Sequence, residues 1–220
     1  MVPSYKFDNI TIDIFKKIKT HDEEWKNFFL PLKVNNELIG YLKPITKDVL
    51  IKSKKNTLVI SKLSKWRKEN AIWFDSFNVT DQGTLRWLKK SVINQSDRLL
   101  FLVQNLEKNH IGHMGLYRGE VDNFIRGQKS ISKGIMTIGL QKMLEWSFHN
   151  LKIKKLFLRV FSDNRRAIKY YKNCGFISLD KIKLKKIINK DSIRYVPVTD
   201  DETPDRYFTL MCCENKNDKL

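Results

Sequence analysis

Three features of the 220-residue chain predict an α/β fold of the α+β kind. Three short apolar runs follow one another closely between Arg98 and Ile125, the pattern of an antiparallel meander. A long amphipathic helix follows, carrying Met136, Leu140, Met143, Leu144, Phe148 and Leu151 on one stripe. A strand, a second helix stopped by Gly175 and a further strand come after it. Residues 1–62 have a different texture and read as a small N-terminal accessory α/β unit; residues 63–214 read as the main domain and 215–220 as a tail.

In chain order, a short helix is expected around Ile14–Lys19, then strands over 28–34, 37–42 and 57–60, with Asn35-Asn36 as a hairpin turn. The basic run Lys52–Lys55 reads as a solvated loop. Asn70–Val79 is aromatic and branched, hence a strand, and Thr80-Asp81 caps a helix bearing Leu85, Leu88 and Val92. The meander strands are Arg98–Gln104, His110–Leu116 and Val121–Ile125. Period two in the last places Glu120, Asp122 and Phe124 on one face and Val121, Asn123 and Ile125 on the other. Leu156–Phe161 forms the strand before the second helix, and Ile177–Leu184 and Tyr207–Cys213 form two more across a polar loop containing Pro197 and Pro204.

A hydrophobic content of 41% with 11% aromatics can bury a core and excludes a disordered chain. The 42 Lys and Arg against 24 Asp and Glu give a net charge of +18, a field that attracts nucleic acid, membrane headgroups or a polyphosphate ligand. Cys174, Cys212 and Cys213 match neither a disulfide framework nor a zinc site, so no metal and a reducing cytoplasm are expected. Met1–Asp8 lacks an apolar core for secretion, and Leu99–Val103 is far too short to span a membrane.

Between Val160 and Phe176 a strand ends, a polar cap follows and a short helix runs to a glycine. Asn164, Ala167, Tyr171 and Gly175-Phe176 resemble, in identity and spacing, the signature of the GNAT acyltransferase superfamily, and the resemblance extends over about Trp66 to Cys213. It implies the GNAT fold, a mixed, mostly antiparallel twisted sheet flanked by helices, with acyl-CoA as co-substrate. It also implies that Asn164 contacts the pantetheine arm and that Tyr171 lies near the thioester sulfur. A phenol there can protonate the departing thiolate, whereas Tyr171 without its flanking motif would read as a core tyrosine.

A glycine-bearing turn that opens a helix offers unpaired N–H groups and a positive dipole end to a phosphate. By the resemblance, Lys133-Gly134-Ile135-Met136 cradles the CoA pyrophosphate, with Arg126, Lys129, Ser132, Arg166 and Tyr170 as further cofactor contacts. Similar enzymes carry Arg or Gln, two spacers, Gly, a spacer, then Gly or Ala; here Ile131 and Met136 hold the outer positions and the loop is expanded.

An amine acceptor must lose a proton before or during attack, and the candidates to take it are Asp122 first, Glu120 second and His113 third. The plainer alternatives are carboxylates balancing a basic surface and a core histidine. Backbone N–H groups around Asn123–Arg126, where this strand splays from its neighbour in similar enzymes, would stabilise the oxyanion. Cys174 sits at a helix end, where the dipole disfavours a thiolate, and a covalent route through it is discounted.

The runs Ile111–Leu116, Ser132–Thr137 and Arg159–Asn164 resemble the branch that acylates nucleotide-linked amino sugars for surface polysaccharide. That resemblance implies a dTDP- or UDP-linked deoxy amino sugar as acceptor, best a dTDP-3-amino-3,6-dideoxyhexose; no nucleic-acid partner is expected, and the sequence leaves monomer and homodimer open. Trp25, Phe28, Phe29 or Tyr41 could stack on its base or lie in the core. The rivals are an acetyltransferase of protein N-termini or lysines, and a non-enzymatic basic module binding nucleic acid.

Overall fold

The computed structural model describes residues 6–20, 29–74, 76–128, 133–190, 192–199 and 201–215. The alternating apolar residues build one ten-stranded sheet. Its order is β1 (Leu30–Val34), β2 (Glu37–Pro44), β4 (Arg98–Asn105), β5 (His110–Tyr117), β6 (Glu120–Arg126), β7 (Lys155–Phe161), β10 (Arg206–Glu214), β8 (Ile177–Asn189), β9 (Ser192–Pro197) and β3 (Ser76–Phe77). All neighbours are antiparallel except β6 and β7, which run parallel and share one register pair, Glu120 with Phe157.

Helices cover both faces. On one, α1 (Asn9–Ile18), α4 (Ile135–Asn150) and α5 (Arg165–Asn173) bury Phe15, Leu140 and Tyr171 against Leu99, Phe101 and Leu158. On the other, α2 (Lys54–Glu69), α3 (Asp81–Trp87) and a π-helical turn at Leu88–Ile93 bury Leu63, Trp66 and Val92 against Leu100, Leu102 and Ile125. Coverage on both sides explains why β4 is apolar without alternation. The turn at Asn35-Asn36 has φ of 49° and 67°, as a tight hairpin with two left-handed residues requires.

Several local expectations change. Thr57–Ile60 is helical, because Val59, Leu63 and Trp66 are buried at helical spacing and the Ser53 hydroxyl caps α2 by accepting from the Asn56 N–H at 3.1 Å. Lys54 and Lys55 therefore open a helix instead of lying in a loop. In the stretch Asn70–Val79, Ala71–Trp73 is a 3-10 turn and only Ser76–Phe77 is strand; Asn70 folds its side-chain amide onto the Trp66 carbonyl at 2.8 Å and ends α2. Part of the polar loop after Leu184 is a hairpin: β8 continues to Asn189 and β9 returns. Residues 62 and 63 lie inside α2, and β1 and β2 join the same sheet as the rest. Among the described residues no helix is long and apolar enough to cross a membrane.

Candidate active site

Beyond Glu120 and Phe157 the parallel strands β6 and β7 part. A cavity of about 710 Å³ occupies the gap. Its lining comes from both faces of the sheet. Gly134, Thr137, Asn164, Arg166 and Tyr171 belong to the α4 and α5 side, while Glu69, Trp73, Glu120, Asp122, Arg159 and Tyr195 belong to the α2 side. Two molecules can therefore enter from opposite faces and meet in the gap.

The splay is shaped by a β-bulge. Asn123 has φ 49°, and the β5–β6 register shifts between His113 and Gly115. Strict period two fails there. Phe124 moves to the face of Val121 and meets the rings of Tyr170 at 5.3 Å and Tyr171 at 5.8 Å, while Ile125 joins the α2-side core. Glu120 and Asp122 keep their shared face.

On the α4 side, Gly134 caps the helix with φ 88°, and the position a Cβ would take is open space. That leaves the helix N-terminus accessible to an anionic group, so the residues present fit a pyrophosphate. Met136 and Arg126 also line the cavity, with Arg126 Nε donating to the Gln128 carbonyl at 3.3 Å. Asn164 accepts from the Ala167 N–H at 3.1 Å and caps α5. Tyr171 is 9% exposed, and burial, with Cys174 adding to it, pushes its phenol well above the usual range. Tyr170 is likewise raised, chiefly by burial, with Cys174 adding to it and Thr137 opposing. The side chains of Lys133 and Ile135 border a separate recess of about 420 Å³ with Val34, Asn35 and Glu37, and that of Ile135 is in the core at 1% exposure, so only their backbone can face the turn. Lys129 and Ser132 lie outside the described residues.

On the α2 side both carboxylates are engaged by arginines. Arg159 Nε donates to Glu120 at 2.8 Å. Burial raises the Glu120 pKa, opposed by the charge and hydrogen bond of Arg159. Asp122 pairs with Arg98 at 3.1 Å and accepts from Asn123 Nδ2 at 2.7 Å. His113 is absent from the cavity, contrary to expectation. Its central strand lies beneath α2, its ring stacks on Trp66 at 6.2 Å, and burial drives its pKa down to about 3.

Phe29 and Tyr41 pair with each other at 6.3 Å away from the cavity, and Trp25 and Phe28 lie outside the described residues. The aromatic wall of the α2 side is instead Trp73, Phe74, Phe161, Tyr195 and Phe208. Phe161, three residues before Asn164 at the end of β7, lies in a run that carried the family resemblance; Trp73 and Phe74 lie in a stretch read only as aromatic strand. Among the described residues no group of three or more His, Cys, Asp or Glu could hold a metal ion, and the three cysteines are buried and form no disulfide.

A sheet parted between two parallel strands, with a helix N-terminus on one side and paired carboxylates on the other, defines a two-substrate transferase cleft. Residues 60–177, just over half of the chain, match the acetyltransferase (GNAT) domain, and the chain belongs to that family. It is an acyl-CoA-dependent N-acyltransferase with the GNAT fold. It is 26% identical over 125 residues to the spermidine N(1)-acetyltransferase of Vibrio cholerae, spanning 54% of this chain and 71% of that protein. The structure of the Vibrio cholerae spermidine N-acetyltransferase in complex with CoA and spermine is similar at a TM-score of 0.55 and 18% identity, covering 74% of this chain and 92% of that one. A second structure, the spermidine/spermine N-acetyltransferase SpeG from the same organism, gives 0.53 and 16%, covering 80% and 92%.

Proposed function

We propose that the enzyme moves the acyl group of acyl-CoA directly to the primary amine of a nucleotide-linked deoxy amino sugar, with a dTDP-3-amino-3,6-dideoxyhexose as preferred acceptor. The observation that carries this reading is the state of the acceptor side: Glu120 and Asp122 are each neutralised by an arginine, and aromatic rings form the wall. A polycation draws affinity from unpaired carboxylates, and this chain carries +18. An acceptor with a planar base and a diphosphate suits the same surface.

The Gly134 turn receives the CoA pyrophosphate, flanked by Arg126 and Arg166, and Asn164 at the end of β7 meets the pantetheine arm. The thioester carbonyl then lies in the gap beside the Asn123 bulge, whose N–H groups face the developing oxyanion. The amine arrives from the α2 side, and its nitrogen forms the new bond to the carbonyl carbon. Glu120 or Asp122, through water, takes the ammonium proton. The C–S bond breaks, and Tyr171 supplies the proton that the CoA thiolate needs. Such a reaction draws on cytoplasmic substrates.

The 26% identical relative supports a second reading, a polyamine acceptor. Glu69, half exposed at the cavity and 3.9 Å from Lys65, would be the anchoring carboxylate. Thiol release from acetyl-CoA with dTDP-amino sugars, UDP-amino sugars, spermidine and peptides decides between them. The nucleotide sugars should react fastest; turnover of spermidine or a peptide with none on any nucleotide sugar overturns the proposal.

A further inference from the structure

We infer that Trp73, Tyr195 and Phe208, packed around the buried ring of Phe161, form a nucleobase subsite braced from behind by Arg206; its link to catalysis rests on the nucleotide-linked acceptor proposed above. The four rings come from the turn after α2 and from β7, β9 and β10, yet all line one cavity. None belongs to the two large cores, and Trp73, Tyr195 and Phe208 remain partly exposed. Aromatic surface left facing a cavity is what a planar ligand covers.

Arg206 holds the wall in shape. Its guanidinium lies 3.5 Å from the Phe161 centroid, 5.3 Å from Tyr195 and 5.5 Å from Trp73. Two of its N–H groups donate to Asp163 at 3.1 and 2.9 Å, and a third donates to the Ile72 carbonyl at 3.1 Å. One side chain thus fixes three rings relative to each other, so little ordering remains to be done on binding. The same guanidinium, paired with Asp163, already occupies the cation position over these rings, and the ring surface left toward the cavity suits a planar neutral base.

The test keeps CoA saturating, so that added nucleotides cannot enter the cofactor side, and titrates UDP, dTDP and inorganic pyrophosphate by calorimetry. Either nucleotide should bind at least about tenfold more tightly than pyrophosphate, and Tyr195→Leu or Trp73→Leu should weaken it about tenfold, with Tyr195→Phe near wild type. Unchanged CoA affinity in each variant verifies the fold. Nucleotides no tighter than pyrophosphate, or a Tyr195→Leu variant that binds them as wild type does, overturn the subsite. Should nucleotides bind and the variants weaken them while no nucleotide sugar is acylated, the acceptor reading fails and the subsite stands. Acylation of a nucleotide-linked sugar with unchanged KM in Tyr195→Leu does the reverse.

Discussion

Asn123 donates its side-chain amide to the carboxylate of Asp122, its immediate predecessor, at 2.7 Å, and Arg98 holds the same carboxylate at 3.1 Å. Asn123 itself sits at φ 49°, a left-handed conformation that asparagine tolerates and β-branched residues do not. Replacing Asn123 with Val should therefore destabilise the fold by about 1–3 kcal/mol and lower turnover, whereas Asn123→Gly should stay closer to wild type. Denaturant unfolding and steady-state turnover measured together check this. Val and Gly variants of equal stability would show that the bulge is not strained.

The acid limb of activity should report Glu120. Burial raises its pKa, and the neighbouring Arg159 charge pulls it back down. A general base works only when ionised, so kcat/KM falls as pH drops through that pKa. Arg159→Gln leaves burial unopposed and should move the limb to higher pH, and Glu120→Gln should abolish it. A limb that survives Glu120→Gln but disappears in Asp122→Asn transfers the role to Asp122.

Gly127 lies against the indole of Trp66, in the space that a Cβ would need. Trp66 is 3% exposed and stacks on His113 beneath the sheet, so it has nowhere to retreat. Gly127→Ala should destabilise the protein by about 1–3 kcal/mol, the usual range for an overpacked core. Wild-type stability in that variant would mean that the segment after β6 yields readily.

Lys19 is buried at 2% exposure and donates to the carbonyls of Val92 at 3.1 Å and Gln95 at 2.6 Å. Burial lowers its pKa from 10.5 to about 8. Between those two values the unfolded chain keeps the proton and the folded chain has released it, so rising pH favours folding there. Relative to Lys19→Met, wild-type stability should climb from pH 8 to 10.5, by at most about 1.4 kcal/mol per unit. Denaturant titrations across that interval test it, and a flat or falling difference contradicts it.

The parts legible in the sequence are those whose cause is local. Asn164, Ala167, Tyr171 and Gly175 sit within one strand, cap, helix and stop, and each does a local job: Asn164 caps α5, and Gly175 takes φ 95° after its end. The aromatic wall is different. Trp73, Tyr195 and Phe208 are brought together only by the sheet order, and Tyr195 arrives on a hairpin whose solvent-exposed lysines erase the alternation that marks a strand. Thr57–Ile60 misled because four branched or apolar residues cannot separate helix from strand; Leu63 and Trp66, one and two turns on, supply the missing period. The Asn123 bulge reversed the face of Phe124, an event that a rule of two cannot register.

Tyr171 is the residue on which chemistry and packing conflict most. Its ring is wedged among Phe124, Tyr170 and Phe176 at 5.8, 5.5 and 5.8 Å, and it is part of the core as well as the cavity wall. Burial raises its pKa, so the phenol keeps its proton at neutral pH and can act only as an acid or hydrogen-bond donor. Tyr171→Phe keeps the ring contacts and removes the hydroxyl alone. It should lower kcat by about 10- to 100-fold, toward the modest end of proton-transfer effects because a thiolate leaves readily, with stability and CoA affinity nearly unchanged. Thiol-release kinetics and CoA calorimetry on that variant separate the two roles: normal turnover makes Tyr171 a packing residue, and lost CoA affinity makes it a binding one.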